Sequence, residues 1–285
     1  MNAIRRFLQQ EDLNFLLTNR VPRLLLTRWM GWFSQLRHPW LARASIAVWR
    51  LFTDLDLSDA RQQRFASLHD CFTRALVDGA RPIDLRPEVL SSPCDAILGA
   101  CGAVQGMQVF QAKGFPYSMR ELFGPTQDTT PFHDGVFVTL RLTSAMYHRF
   151  HAPHDCEVRH VTHLSGDTWN VNPIALKRVE RLFCRNERAV LRARLAGGHE
   201  LALVPVAAIL VASLRLHFLD LLLHPRYGGP NELPCRARFA KGEEMGWFQH
   251  GSTILLFAPR GFQLCEGLQP GAKIRMGQAL LRLPI

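Results

Sequence analysis

The sequence predicts an α+β protein: N-terminal amphipathic helices followed by a mainly antiparallel β core of barrel or sandwich type. Three observations carry this reading. Between residues 21 and 40 the large apolar side chains recur at helical spacing. From about residue 90 onward the pattern changes to β-branched runs punctuated by Gly and Pro. The composition, 47% hydrophobic and 20% charged over 285 residues, is that of a chain able to bury a full core.

In chain order, residues 1–65 are expected to form a basic helical region. Val21, Leu24, Leu25, Trp29, Trp32, Phe33, Leu36 and Trp40 trace one helical face, interspersed with Arg20, Arg23, Arg28 and Arg37. Such a face suits an in-plane helix on anionic lipid, and equally a helix packed on the protein's own core. A further helix is expected over His69–Ala80, ending at Asp78-Gly79. Arg81-Pro82-Ile83-Asp84 then reads as an extended connector. Strands are expected at Val136–Leu142, Glu157–Leu164, Ala189–Leu195, Leu201–Val211 and Thr253–Phe257, within a β-rich domain spanning 66–285.

The net charge is +10, which calls for an acidic partner: nucleic acid, anionic lipid or an acidic substrate. No nucleic-acid motif accompanies the charge, so no nucleic-acid partner is expected. Seven cysteines with no Cys-x-x-Cys pair point to a reducing compartment. No apolar run is long enough to span a bilayer, and Glu11 and Asp12 interrupt any signal-peptide pattern.

Three places draw chemical interest. Gly251-Ser252-Thr253 opens a strongly apolar strand, where Gly carries a cost. Its plain reading is a turn before a buried strand; its sharper one is a nucleophile, Ser252, beside the carbonyl of Gly251. Tyr147-His148-Arg149-Phe150-His151 begins a stretch holding five of the twelve histidines. These are open to reading as metal ligands, as a general base, or as ordinary imidazoles; no metal is expected. Asp95 follows Pro93-Cys94 and reads by itself as a turn residue. A Ser, a His and an Asp form a relay in any chain order. Dinucleotide, phosphate-loop and Gly-x-Ser-x-Gly signatures are missing.

Short motifs then line up. They are Arg81-Pro82-Ile83-Asp84, Pro93-Cys94-Asp95-Ala96-Ile97, Gln111-Ala112-Lys113-Gly114 and Tyr147-His148-Arg149-Phe150-His151-Ala152-Pro153. Gly166-Asp167-Thr168-Trp169, Phe183-Cys184-Arg185-Asn186-Glu187-Arg188, Lys241-Gly242-Glu243-Glu244-Met245-Gly246 and Gly251-Ser252-Thr253 follow. In this order they resemble the phosphatidylserine decarboxylase proenzymes in their bacterial, membrane-associated form. The chain departs from that pattern at His250, where Leu is more usual, and at Ala96, where Gly is more usual.

The resemblance implies a self-processing, pyruvoyl-dependent enzyme. Asp95 and His151 would activate Ser252, whose Oγ attacks the Gly251 carbonyl. The resulting ester eliminates, and Ser252 becomes the pyruvoyl group that forms a Schiff base with phosphatidylserine. Decarboxylation then yields phosphatidylethanolamine and CO2. The products of cleavage would be a β chain, 1–251, and an α chain, 252–285, joined as a heterodimer, with further dimerisation left open. His148 is the candidate general acid. The implied location is peripheral, on the cytoplasmic face of the cell membrane, with an anionic surface as partner. The runner-up is a basic lipid-binding protein with a non-processing triad.

Overall fold

The computed structural model describes residues 10–111, 115–210, 213–249 and 253–284. The expectations for His250, Gly251, Ser252 and Ala112-Lys113-Gly114 therefore fall outside it.

The chain opens with helices α1 (Glu11–Asn19), α2 (Arg23–Ser34), α3 (Pro39–Phe52) and the short α4 (Leu68–Phe72). The single helical face expected over 21–40 is in fact divided between α2 and α3. The break falls where His38 adopts an extended conformation ahead of Pro39, which supplies the first residue of α3. The helix expected over His69–Ala80 stops at Phe72.

Seventeen strands follow among the described residues, and every strand pairing is antiparallel. The largest sheet has eight strands in the order β12 (Glu232–Phe239), β7 (Cys156–Leu164), β8 (Arg188–Leu195), β9 (Glu200–Val206), β14 (Thr253–Ala258), β5 (Val136–Arg141), β2 (Ala96–Ala103) and β16 (Lys273–Ile274). A second sheet runs β11 (Leu221–Leu223), β10 (Leu214–Leu216), β13 (Glu244–Phe248), β6 (Arg149–His151). A third holds β1 (Val89–Ser91), β17 (Ala279–Arg282) and β15 (Gln263–Leu264), and β3 (Gln108–Phe110) pairs with β4 (Pro116–Ser118).

The result is an open, sandwich-like core, and no barrel closes among the described strands. The strand expected over Leu201–Val211 ends at Val206, and Leu210 takes a left-handed φ of 66°. His148 and His151, three residues apart, do not share a face as they would on a helical turn. His148 immediately precedes β6 and His151 ends it, and a strand sends alternate side chains to opposite faces.

Strand β14 is buried along its whole length, between β9 and β5. An uninterrupted Thr-Ile-Leu-Leu-Phe-Ala run suits a strand covered on both faces. Phe257 meets the rings of Phe123 at 5.2 Å and Phe132 at 6.3 Å, fixing the strand laterally. The first residue of this strand, Thr253, lies in register between Val206 and Arg141.

The N-terminal helices are built the other way round. Their buried residues are Asn19, Thr27, Gly31, Ser34 and Ala42. Of the twelve exposed large apolar residues among the described ones, ten lie on these helices, among them Leu16, Leu25, Trp29, Trp32, Trp40 and Phe52. Polar contacts hold the helices to the core. Arg23 forks onto Asp167 at 2.5 and 3.2 Å and lies 3.7 Å above the Trp169 ring. Asn14 and Asn19 reach Asn172 and Asn170, and Thr27 accepts from the Leu210 N–H.

Candidate active site

The site is assembled where β6 meets β13 and where the turn before β2 approaches them. His151 ends β6. Its backbone N–H donates to the Pro93 carbonyl at 2.8 Å, which ties it to the turn that carries Asp95. Its ring is held at both nitrogens. Nδ1 lies 2.9 Å from the Gly242 carbonyl and Nε2 lies 3.0 Å from the Tyr147 hydroxyl. A carbonyl only accepts, so Nδ1 carries the proton and Nε2 presents its lone pair. Gly242 is required for this contact. Its φ is +83°, and a Cβ there would lie 2.1 Å from Ile83 Cδ1.

Burial lowers the His151 pKa, and the Gly242 bond opposes that shift, with Glu244 and Asp95 pulling in the same upward direction and Arg149 against it. The neutral, proton-accepting form is thereby favoured. Tyr147 is buried and its phenol is pushed well above its ordinary value, so it stays protonated.

Asp95 is buried and does not hydrogen-bond to His151. Its oxygens accept from Arg81 Nε at 2.9 and 3.1 Å, from Arg81 Nη2 at 2.6 Å and from the Met276 N–H at 2.9 Å. Arg81 also reaches Asp59 at 2.8 Å. Burial works against the Arg81 charge, but the two carboxylates outweigh it and hold its pKa above the usual value. The Asp95–His151 pair is therefore brought to one turn without the direct bond of a closed relay.

His148 occupies a different setting three residues away. It is fully buried, 4.7 Å from the Phe72 ring, and neither ring nitrogen has a hydrogen-bond partner of normal geometry among the described residues. Burial, and after it the Arg74 charge, lower its pKa to about 3, with a smaller opposite pull from the Met146 backbone. The resting ring is neutral.

The segment leading to residues 250–252 is fixed on both sides. Phe248 N–H donates to the His148 carbonyl, and Gln249 N–H to the Ser213 carbonyl, both at 3.0 Å. Beyond the segment, Thr253 enters β14. Gln249 Nε2 and Thr253 Oγ1 are buried without a partner among the described residues. Unspent donors of this kind, at both ends of a short segment, suit a site where negative charge develops.

A cavity of about 700 Å³ lies between α2, α3, α4 and the core. Trp49, stacked 4.5 Å from Phe72, forms part of its wall, with Leu142, Val171 and Leu210. His148 packs directly behind Phe72.

Comparison with known proteins fixes the family. The sequence model of phosphatidylserine decarboxylase matches residues 68–282. The chain belongs to the phosphatidylserine decarboxylase family. Proteins named phosphatidylserine decarboxylase proenzyme are similar over nearly their whole length. The one from Halorhodospira halophila is 36% identical, covering 92% of this chain and 91% of its own. That from Pseudomonas fluorescens is 36% identical over 93% and 95% of the two chains, and that from Erwinia tasmaniensis 34% over 93% and 92%. Within this decarboxylase, sequence motifs point to Asp95, His148 and His151. They give no role to Arg81, Tyr147 or Gly242. All three stand inside the same short motifs, but their roles emerge only once distant segments are in contact.

Proposed function

We propose that this decarboxylase cleaves itself between Gly251 and Ser252, converts Ser252 into a pyruvoyl group, and decarboxylates phosphatidylserine to phosphatidylethanolamine at an anionic membrane surface. The observation that supports the reading most is the His151 imidazole. It is buried, fixed as the Nδ1–H tautomer, and carried on β6, which pairs with β13, His151 itself lying opposite Glu244.

In this reading the Tyr147 hydroxyl gives up its place at His151 Nε2 to Ser252, and His151 takes the serine proton there as Oγ attacks the Gly251 carbonyl. Gly242 does the tautomer-holding that Asp95 performs in a closed relay. Asp95 acts through its charge and through the turn whose Pro93 carbonyl holds the His151 backbone. Gln249 and Thr253 offer donors to the oxygen that becomes negative. The pyruvoyl group, once present, supplies a carbonyl electron sink for the charge left by departing CO2. His148, behind the cavity wall and neutral at rest, is the candidate for relaying a proton to the substrate carbon, taking one up at one ring nitrogen as it gives one from the other. The α chain would stay in place after cleavage, because β14 is paired on both edges within the β chain's sheet.

The N-terminal helices supply the membrane contact. Outward Leu and Trp residues, with a chain charge of +10, suit an anionic bilayer surface. No helix among the described residues is long and apolar enough to cross a membrane. The domain reading that goes with this assigns 1–65 to membrane association and 66–285 to catalysis.

Denaturing electrophoresis of the purified chain, alongside CO2 release from carboxyl-labelled phosphatidylserine, tests the proposal. Two fragments and labelled CO2 are expected. An uncut 32.4 kDa chain that binds vesicles but releases nothing would favour the lipid-binding reading instead.

A further inference from the structure

Among the described residues, Arg141 is the only charged one that lines the 700 Å³ cavity. It closes β5 and sits in register with Thr253, the residue after Ser252. Burial lowers its pKa, and no charged group opposes that shift. It makes no ion pair and no side-chain hydrogen bond among the described residues, whereas Arg23, Arg81, Arg149 and Arg188 all do. A cation withdrawn from water without a counter-charge is costly, and structures retain such charges where a ligand completes the pair. No Asp or Glu lines the cavity, and most of its wall is apolar.

We propose that Arg141 is the anion anchor of this cavity and takes the phosphodiester of a glycerophospholipid whose acyl chains fill the apolar remainder. The inference rests on the decarboxylase reading above and names the headgroup contact of the same site. A guanidinium suits a phosphodiester because its forked donors match two oxygens at once. Neighbouring antiparallel strands lie only about 4.5–5.5 Å apart at paired Cα atoms, so the Arg141 side chain begins beside Thr253.

The substrate carboxylate is the competing anion, and chemistry argues against it. An arginine bonded to that carboxylate stabilises the ground state and loses its partner as CO2 departs, which raises the barrier. The phosphodiester is unchanged from substrate to product and is held throughout.

Binding to the uncut Ser252→Ala chain tests this without relying on turnover. Short-chain phosphatidylethanolamine and short-chain phosphatidylserine are titrated, with Trp49 fluorescence or calorimetry as readout and inorganic phosphate alongside. Adding Arg141→Gln is expected to weaken both lipids by tenfold or more and by similar factors, with Arg141→Lys recovering only part of the loss because an ammonium lacks the fork. Phosphate alone is expected to bind at least a hundredfold more weakly than either lipid. A change under twofold for Arg141→Gln, with unaltered melting temperature, overturns the anchor. A loss confined to phosphatidylserine would assign Arg141 to the carboxylate and also overturn it. Phosphate binding as tightly as the lipids would make this a bare anion site and overturn the lipid assignment. If wild-type chain remains uncut while these affinities behave as expected, the decarboxylase reading fails and the lipid site stands.

Discussion

The two regions of this chain treat apolar residues in opposite ways. In the β core, Leu, Val and Phe are buried, and away from the site polar side chains such as the Arg188 guanidinium, which donates to four carbonyls, are paired. In α1 to α3, Asn, Thr, Gly and Ser face inward while Leu and Trp face out. A helix whose apolar face is turned away from its own core gains nothing from that face in water. The contrast teaches that the helices are held by polar anchors so that their apolar face is left available to a second apolar phase.

Substitutions should therefore have opposite consequences in the two regions. The largest effect is expected at the reacting end of the core. His151→Ala should slow self-cleavage by about 10²–10⁴-fold, the usual contribution of a general base, as followed by fragment appearance over time. Cleavage at the wild-type rate would remove His151 from the chemistry. Next is packing: Leu255→Ala in fully buried β14 should cost about 2–5 kcal/mol of stability by denaturant titration.

The same kind of truncation on α2 should behave differently. Trp29→Ser with Trp32→Ser should change stability by no more than about 0.5 kcal/mol per site, as for exposed positions. It should nevertheless weaken binding to anionic vesicles by about tenfold or more, since each ring contributes roughly 1.5–3 kcal/mol when buried in an apolar phase. A stability loss on the scale of Leu255→Ala would break the comparison, because these rings would then belong to the core.

The smallest expected effect concerns acid sensitivity. His148 titrates near 6.5 when unfolded and near 3 when folded, so the unfolded chain binds a proton that the folded one refuses. Its contribution to stability is present above the unfolded value and is lost as pH falls from about 6.5 toward 3. Replacing it by Leu should flatten the fall in melting temperature between about pH 7 and pH 4.5. Equal slopes would mean that His148 is solvated or partnered in solution.

Much of the core was legible in the sequence because strands over 136–141, 156–164 and 188–195 announce themselves through dense β-branched or alternating runs. Local periodicity misled where a tertiary contact or a backbone break decided the outcome. The 21–40 face continues on paper through Gln35–His38, but the chain turns there to place Pro39 at a new helix start. No element is expected over the histidine stretch, which is a strand because β13 pairs with it. At the site, residue types were readable and partners were not. Asp95 was expected on His151 and instead binds Arg81, fourteen residues earlier. Gly242 meets the imidazole from ninety-one residues away. No local pattern encodes contacts of that separation.

The central claim is that the chain is cut before residue 252 and that this residue carries the reactive carbonyl. Intact mass of the C-terminal fragment, compared between wild type and Ser252→Ala, addresses it most directly. The wild type should yield a fragment spanning 252–285 with the mass of a pyruvoyl in place of its first serine and no free amino terminus. The Ser252→Ala chain should remain whole at about the full mass of 32.4 kDa. A wild-type chain that stays uncut, or a fragment retaining an ordinary N-terminal serine, would contradict self-cleavage to a pyruvoyl enzyme.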